Sequence, residues 1–182
     1  MHDSSLKISN KAIFLDRDGV INQEVNYLHK IEDFKFIDGI FTSLSVLQRH
    51  GYNFIVITNQ SGIGRGFYSE KDYYLIDEWM KNEFKKQGVD ILYSLHCPHT
   101  PEQNCNCRKP KTGMFEKCFE LFQISKEESW MVGDSERDIE AAIMAGIHNN
   151  ILVRSGHPVY EITTKASIVI DSIKDINNVI KS

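Results

Sequence analysis

The chain has 182 residues, of which 41% are hydrophobic and 25% are charged, and its formal net charge is −4. This length and composition exclude a fibre or a disordered chain and predict a single domain that spans residues 1–182. The pI near 6.0 argues against a nucleic-acid partner, because nucleic-acid binding requires a basic surface.

The segment up to residue 10 has no apolar run of the length that a signal peptide needs, and nowhere do about eighteen apolar residues follow one another. We therefore predict a cytoplasmic protein with no membrane partner. Three of the four cysteines are crowded between Cys97 and Cys107. In a reducing compartment this distribution suits metal ligation better than a disulfide framework.

Apolar, β-branched runs alternate along the chain with longer segments of helical spacing. The runs are predicted to be buried parallel strands at residues 12–15, 53–57, 91–95, 130–132 and 150–153. Helices are predicted at residues 41–50, 70–86, 113–122 and 136–145. A strand at 167–170 and a closing helix follow. The alternation predicts an α/β fold, doubly wound and Rossmann-like, with a mostly parallel sheet.

Asp16 and Asp18 follow directly on the first predicted strand. They should therefore lie at its carboxyl end, where open α/β sheets bind their ligands. Two carboxylates one residue apart can share a hard cation, and Gly19 lets the chain turn away sharply. A helix cap or a solvated turn is the alternative interpretation of a bare Asp-x-Asp, and the strand context favours a functional pair.

The second predicted strand runs into the polar residues Thr58, Asn59, Gln60 and Ser61. Hydroxyl and backbone N–H donors at a strand-to-helix turn suit a phosphate oxygen, although such a string is as often a plain turn. Arg65, a little further on, is either an anion contact or a surface charge.

The loop after the third predicted strand contains three cysteines and a histidine in a symmetric pattern. These are soft or borderline ligands that form a closed set of the kind structural Zn²⁺ sites use: Cys97, His99, Cys105 and Cys107. Free thiols in a loop are the alternative, and His96 is a competing ligand. Cys118 lies in a predicted helix and is expected in the core.

Arg108 and Lys109 follow the cysteine loop immediately. Two fixed cations could bind and neutralise a transferring phosphoryl group, whereas an isolated pair of this kind is more often a solvated surface. A fully coordinated zinc ion has no open position for a catalytic water, so we expect the zinc loop to brace these two residues.

Asp134 follows the fourth predicted strand and precedes a helix, which places a third carboxylate at the same edge of the sheet. Its alternative role is to cap that helix, because Asp is favoured there. Asp138, one turn further on, is predicted to support the metal site or the nearby basic residues.

Together these residues can perform phosphoryl transfer. Asp16 would attack phosphorus, Mg²⁺ held by Asp16 and Asp134 would neutralise phosphate charge, and Thr58 and Lys109 would bind the phosphoryl oxygens. Asp18 would protonate the leaving alkoxide and later deprotonate the water that hydrolyses the acyl phosphate. This role requires Asp18 to be protonated when substrate binds.

The order Asp16-x-Asp18, Thr58, Lys109 and Gly133-Asp134-x-x-x-Asp138 resembles the four motifs of the haloacid dehalogenase superfamily. Within it, residues 11–157 resemble the phosphatases that act on heptose bisphosphates. The resemblance implies the haloacid dehalogenase fold with a short zinc loop and no large cap domain. It also implies a Mg²⁺-dependent phosphatase of bacterial surface-polysaccharide synthesis that acts on a small sugar phosphate; we expect it to be a monomer.

The same resemblance implies specific roles for matching residues. Mg²⁺ would be bound by the carboxylates of Asp16 and Asp134 and by the backbone carbonyl of Asp18. Substrate contacts would come from Glu24, Val25, Asn26, Tyr27, Thr58, Asn59, Gln60, Ser61, Arg108, Lys109 and Ser135. The nearest rival is histidinol-phosphate phosphatase, which resembles this chain in its Asp motifs and short zinc loop. A non-catalytic zinc module is a remote alternative.

Overall fold

A computed structural model describes residues 10–159 and 163–181 of the chain. The strands are β1 (Ala12–Leu15), β2 (Asn53–Asn59), β3 (Ile91–Cys97), β4 (Trp130–Gly133), β5 (Asn149–Val153) and β6 (Ile168–Ile170). The α-helices are α1 (Ile40–Arg49), α2 (Ser61–Gly64), α3 (Glu70–Lys86), α4 (Gly113–Leu121) and α5 (Glu136–Ala145). Short 3-10 helices cover Ile31–Asp33, Pro101–Gln103 and Ile173–Asn178.

The strands form one six-stranded sheet in the order β3-β2-β1-β4-β5-β6, and every pairing is parallel. The chain moves outward from β1 to β2 and β3, and then returns to β4 on the other side of β1. This reversal confirms the doubly wound, Rossmann-like α/β fold. In the described residues, neither the connection between β1 and α1 nor that between β3 and α4 carries a large cap domain.

Alternate side chains of the central strands enter two separate cores, because successive residues of a strand face opposite sides of the sheet. Ile13 and Leu15 of β1 pack into the core beneath α1 and α3, while Ala12 and Phe14 pack into the core beneath α4 and α5. Both faces are therefore covered, which explains why these strands are continuously apolar.

The predicted strands and four longer helices are confirmed, with ends that move by one or two residues. Gly51, Gly88 and Gly146 have positive φ angles of 85°, 75° and 90° just beyond helices, as expected of helix stops. Helix α2 was not predicted, because four residues are too few to show a helical period. The closing helix is a 3-10 helix.

Residues 1–9, 160–162 and 182 lie outside the described residues, and with them lies most of the segment considered for a signal peptide. Among the helices of the described residues, none has the length and apolar character that crossing a membrane requires.

Candidate active site

Asp16 and Asp134 come together where the chain reverses its direction across the sheet. The backbone N–H of Asp16 donates to the carbonyl of Val132 at 3.0 Å, which continues the pairing of β1 with β4. Carboxylate oxygens of Asp16, Asp134 and Asp138 lie within 4.8 Å of one another. The crevice at this switch point is where open α/β sheets bind ligands.

A cleft of about 350 Å³ opens over these carboxylates. The structure gathers in its wall every residue that the sequence predicted for the Mg²⁺ site, for catalysis and for substrate binding. These residues are Asp16, Asp18, Glu24, Val25, Asn26, Tyr27, Thr58, Asn59, Gln60, Ser61, Arg108, Lys109, Asp134 and Ser135.

Lys109 lies at the bottom of the cleft and is 1% exposed. Its ammonium is 3.1 Å from Asp16 Oδ1 and 2.6 Å from Asp138 Oδ1, and it donates to the carbonyl of Ile57 at 2.7 Å. Burial alone would lower the pKa of Lys109, but Asp138 and Asp16 raise it above its ordinary value. The ammonium is therefore a fixed positive charge beside Asp16.

Burial raises the pKa of Asp16 well above its usual range; Lys109 opposes this shift, and neighbouring carboxylates add to it. Burial likewise raises the pKa of Asp134, and the charge of Asp138 raises it further. Crowded carboxylates with raised pKa values are stabilised by a cation, and oxygen ligands are those that Mg²⁺ prefers. The donor set therefore fits Mg²⁺.

Asp134 is enclosed so tightly that two backbone positions beside it require glycine. A Cβ atom on Gly19, whose φ is +80°, would lie 2.3 Å from Asp134 Oδ2, and one on Gly156 would lie 2.0 Å away. His157 donates its backbone N–H to the same oxygen at 3.0 Å, and its Nδ1 is 2.6 Å away. This hydrogen bond raises the pKa of His157.

Asp18 is held by three side chains that all donate to it. Arg17, which is 1% exposed, places Nη2 at 2.9 Å and 2.8 Å from the two carboxylate oxygens. Asn22 Nδ2 donates to Oδ1 at 2.9 Å, and Gln60 Nε2 donates to Oδ2 at 2.9 Å. All of these bonds use Asp18 as the acceptor, and the protonated Asp18 required at substrate binding stays a prediction.

The side chains of Asn59 and Gln60 are hydrogen-bonded to other groups of the protein, although both residues line the cleft. The Asn59 carboxamide exchanges two hydrogen bonds of 3.1 Å with the backbone of Lys109. Gln60 Nε2 donates to Thr58 Oγ1 at 2.8 Å as well as to Asp18. Ser135 similarly donates its hydroxyl to Asp138 within a capping box at the start of α5.

Glu24, Val25, Asn26 and Tyr27 form the exposed wall of the cleft, on the long loop after β1. Tyr27 has a φ of 54°, uncommon for a residue with a side chain. Its ring contacts Phe67 edge to face at a centroid distance of 4.7 Å, so this wall is joined to the segment after α2. Desolvation at the cleft raises the pKa of Glu24, and Asp18 adds to the shift.

The three cysteines and His99 meet at the end of β3. Their Sγ atoms are 3.1 to 3.5 Å apart, and His99 Nδ1 lies 3.3 Å from Cys107 Sγ and 3.6 Å from Cys97 Sγ. Such a compact tetrad of thiol and imidazole groups fits tetrahedral zinc. His96 is not part of it; its ring stacks on Tyr73 instead. Cys118 is buried, as expected, and burial raises its pKa to about 12.

The cysteine loop is tied to both sides of the cleft. Gln60 N–H donates to the carbonyl of Cys97 at 2.7 Å, and Gly64 N–H donates to that of Pro98 at 2.9 Å. Arg108 Nη1 donates to the carbonyl of His99 at 3.3 Å. A metal ion bound in this loop would therefore stabilise the segment that contains Gln60 and the position of the Arg108 guanidinium.

Several cleft residues were not assigned to the site from the sequence. His157 lies in a loop far from the Asp motifs and gives no local signal. Arg137 occupies the first turn of α5, between Ser135 and Asp138, and its spacing from Asp134 could have suggested it. Tyr68 also lines the cleft, and so does Arg65, which the sequence left as either an anion contact or a surface charge.

Comparisons with known proteins define the class. The profile of the HAD-hydrolase-like family matches residues 106–176. The structure of D,D-heptose 1,7-bisphosphate phosphatase from B. bronchiseptica, complexed with magnesium and phosphate, superposes with a TM-score of 0.81 and 27% identity. That match covers 92% of this chain and 96% of the other. Fold, cleft and matches together define a HAD-like hydrolase.

Two related proteins identify the family within this class of hydrolases. D-glycero-alpha-D-manno-heptose-1,7-bisphosphate 7-phosphatase of Photorhabdus laumondii is 48% identical over 86% of this chain and 89% of its own length. The corresponding beta enzyme of Haemophilus influenzae is 43% identical over 94% of this chain and 97% of its own. The chain belongs to the D-glycero-D-manno-heptose-1,7-bisphosphate 7-phosphatase family.

Proposed function

We propose that this protein, as one phosphatase domain, hydrolyses the 7-phosphate of D-glycero-D-manno-heptose 1,7-bisphosphate through a phosphoryl-aspartate on Asp16. The observation that carries the proposal is the meeting of Asp16, Lys109 and Asp134 in one cleft of a chain that belongs to this family. The relatives reported above favour a heptose bisphosphate over histidinol phosphate.

The carboxylates of Asp16 and Asp134 and the backbone carbonyl of Asp18 would hold Mg²⁺. When bound, Mg²⁺ supplies positive charge that neutralises the phosphate oxygens. Asp138 contributes by fixing the Lys109 ammonium, which it contacts at 2.6 Å.

The chemistry requires two attacks on phosphorus and two proton transfers. An Asp16 carboxylate oxygen attacks phosphorus, the bond from phosphorus to the sugar oxygen breaks, and Asp18 gives its proton to the departing alkoxide. Water then attacks the phosphoryl group and Asp18 accepts its proton, which releases phosphate and regenerates Asp16. The Lys109 ammonium and the Thr58 hydroxyl bind the phosphoryl oxygens.

A bisphosphate carries a second phosphate that is not transferred, and the cleft offers it positive charge. Arg65, Arg108 and Arg137 all line the cleft. Burial lowers the pKa of Arg108, and the nearby positive charge of Arg137 lowers it further. A dianion bound between Arg108 and Arg137 would relieve the repulsion between these two positive charges. We assign the 1-phosphate to this arginine group, and Glu24 to Tyr27 to the wall that lines the sugar.

The test compares heptose 1,7-bisphosphate with heptose 7-phosphate and histidinol phosphate, for the wild type and for Arg137→Ala. We expect the wild type to prefer the bisphosphate in kcat/KM. Arg137→Ala should lose about tenfold on the bisphosphate, the effect of one exposed charge-assisted contact, and little on the monophosphate. Phosphate release would be measured with Mg²⁺ present, with Lys117→Ala as the surface control.

A clear preference for histidinol phosphate would overturn the substrate assignment. Equal losses of Arg137→Ala on both heptose phosphates would overturn the placement of the second phosphate. Both anomers should be assayed, because the relatives named for the alpha and the beta anomer are 48% and 43% identical to this chain.

We also propose that Cys97, His99, Cys105 and Cys107 bind one structural Zn²⁺. Cys107→Ser should lose zinc and lower Tm by about 10 °C, because the bound metal contributes several kcal/mol to the loop's stability. kcat/KM should fall too, since Arg108 and Gln60 are bonded to this loop. Zinc content, calorimetry and phosphate release would check this.

Cys118→Ala is the matched control for the zinc site, because Cys118 is a buried cysteine that does not belong to the group of possible metal ligands. It should keep its zinc. Full zinc content in Cys107→Ser would contradict the proposed ligand set.

A further inference from the structure

The Gln60 side chain is hydrogen-bonded to two residues that act in the proposed reaction, Asp18 and Thr58. Its Nε2 donates to Asp18 Oδ2 at 2.9 Å and to Thr58 Oγ1 at 2.8 Å, and the residue is 3% exposed. A hydroxyl that accepts this bond still has its own proton to donate. One carboxamide therefore contacts both the acid/base carboxylate and the phosphate-binding hydroxyl.

The orientation of that carboxamide is fixed from its other end. Gln60 Oε1 accepts from the Tyr68 hydroxyl at 2.5 Å and from Arg17 Nη2 at 3.4 Å. A flipped amide would bring its NH₂ against the guanidinium, which can only donate, and its oxygen against the Asp18 carboxylate. Tyr68 supplies the shorter of the two bonds, and burial raises its pKa to about 12, so its hydroxyl keeps its proton.

The Tyr68 ring is itself held in place. A Cβ atom on Gly62 would lie 2.1 Å from Tyr68 Cε1, so the ring packs directly against the backbone of α2. The His29 ring stacks on the Tyr68 ring at a centroid distance of 5.5 Å. These contacts aim the hydroxyl at Gln60 and do not depend on the hydroxyl itself.

We propose that Tyr68 is a positioning residue of this active site: it fixes the Gln60 carboxamide, which orients Asp18 for its proton transfer to the leaving group. The inference rests on the proposed function, because it assigns Asp18 the proton transfer to the leaving group. It adds a residue that acts through Gln60 and forms no bond to the reacting atoms.

Tyr68→Phe tests this, because it keeps the ring contacts and removes only the hydroxyl. We expect kcat/KM for an alkyl phosphate, the heptose bisphosphate or glycerol phosphate, to fall about tenfold, the effect of one lost hydrogen bond. For para-nitrophenyl phosphate, whose leaving group departs without a proton, the loss should be under about threefold. KM should change little.

Tyr74→Phe is the matched control, since Tyr74 is 54% exposed on α3. Tyr74→Phe should leave kcat/KM unchanged for both the alkyl and the aryl ester. A second test combines Tyr68→Phe with Gln60→Met: if Tyr68 acts through Gln60, the double variant should be no slower than Gln60→Met alone. The leaving-group comparison needs only Tyr68→Phe and so does not depend on the folding of the Gln60 variant.

Equal losses of Tyr68→Phe on the alkyl and aryl esters would overturn the proposal, as would additive losses in the double variant. Failure of the proposed function gives a different result: the wild type would hydrolyse the aryl ester and glycerol phosphate but not the heptose bisphosphate.

Discussion

Asp16→Asn is expected to reduce phosphatase kcat by about 10⁴-fold or more, the magnitude seen when an enzyme loses its nucleophile. An amide cannot replace the carboxylate as attacking group, and it also removes one of the proposed Mg²⁺ ligands. The fold should survive, because Lys109 keeps its 2.6 Å contact with Asp138. Phosphate release and circular dichroism would measure the two effects.

Asp90→Asn, on the exposed turn before β3, is the matched control and should retain wild-type activity. Mass spectrometry adds an independent measurement, with para-nitrophenyl phosphate as substrate because its leaving group departs without a proton. In Asp18→Asn slow hydrolysis of the acyl phosphate should let one phosphoryl group accumulate on the chain, and adding Asp16→Asn should abolish it. An active Asp16→Asn variant would show that the nucleophile lies elsewhere.

Lys109→Met is expected to lower kcat/KM by about 10³-fold, because it removes a fixed positive charge from the site of the transferring phosphoryl group. Stability should fall as well. Asp16 and Asp138 would remain in a buried site without their shared cation, and breaking a buried ion pair typically costs about 3–5 kcal/mol. For a chain of this size that corresponds to a Tm lower by about 10 °C.

Lys117→Met is the control for this substitution, because Lys117 forms an exposed ion pair with Glu120 on the surface of α4. Both kcat/KM and Tm should stay near the wild-type values. A Lys109→Met variant that lost activity but kept its Tm would contradict the structural role of the buried ammonium and leave only the catalytic one.

The fold class was predictable because its signals are local. Phe14 and Ile55 belong to runs that are apolar without interruption, as strands covered on both faces must be. Glu70–Lys86 was predicted with its observed bounds, since its spacing is regular and a glycine follows. Helix α2 escaped prediction because a single turn has no periodicity to detect.

The candidate site could be predicted where its residues follow directly on a strand or lie close to one another in the sequence. Asp16 and Asp134 each follow a buried strand, and parallel strands bring their carboxyl ends to one edge of a sheet. The cysteine tetrad is close in sequence, so its members could meet without knowledge of the fold. In the structure Asp16 and Asp134 lie close together, and the cysteine tetrad forms a separate group, while the roles of these residues stay predictions.

The order of strands and helices, the edge of the sheet that carries the candidate site and the residue types expected there could thus be inferred from local patterns in the sequence. The contacts between these side chains could be seen only in the folded structure. Lys109 lies between two carboxylates, Gln60 donates a hydrogen bond to Asp18, and His157 is hydrogen-bonded to Asp134. These contacts join segments distant along the chain, and only the packing of those segments sets which donors and acceptors face one another.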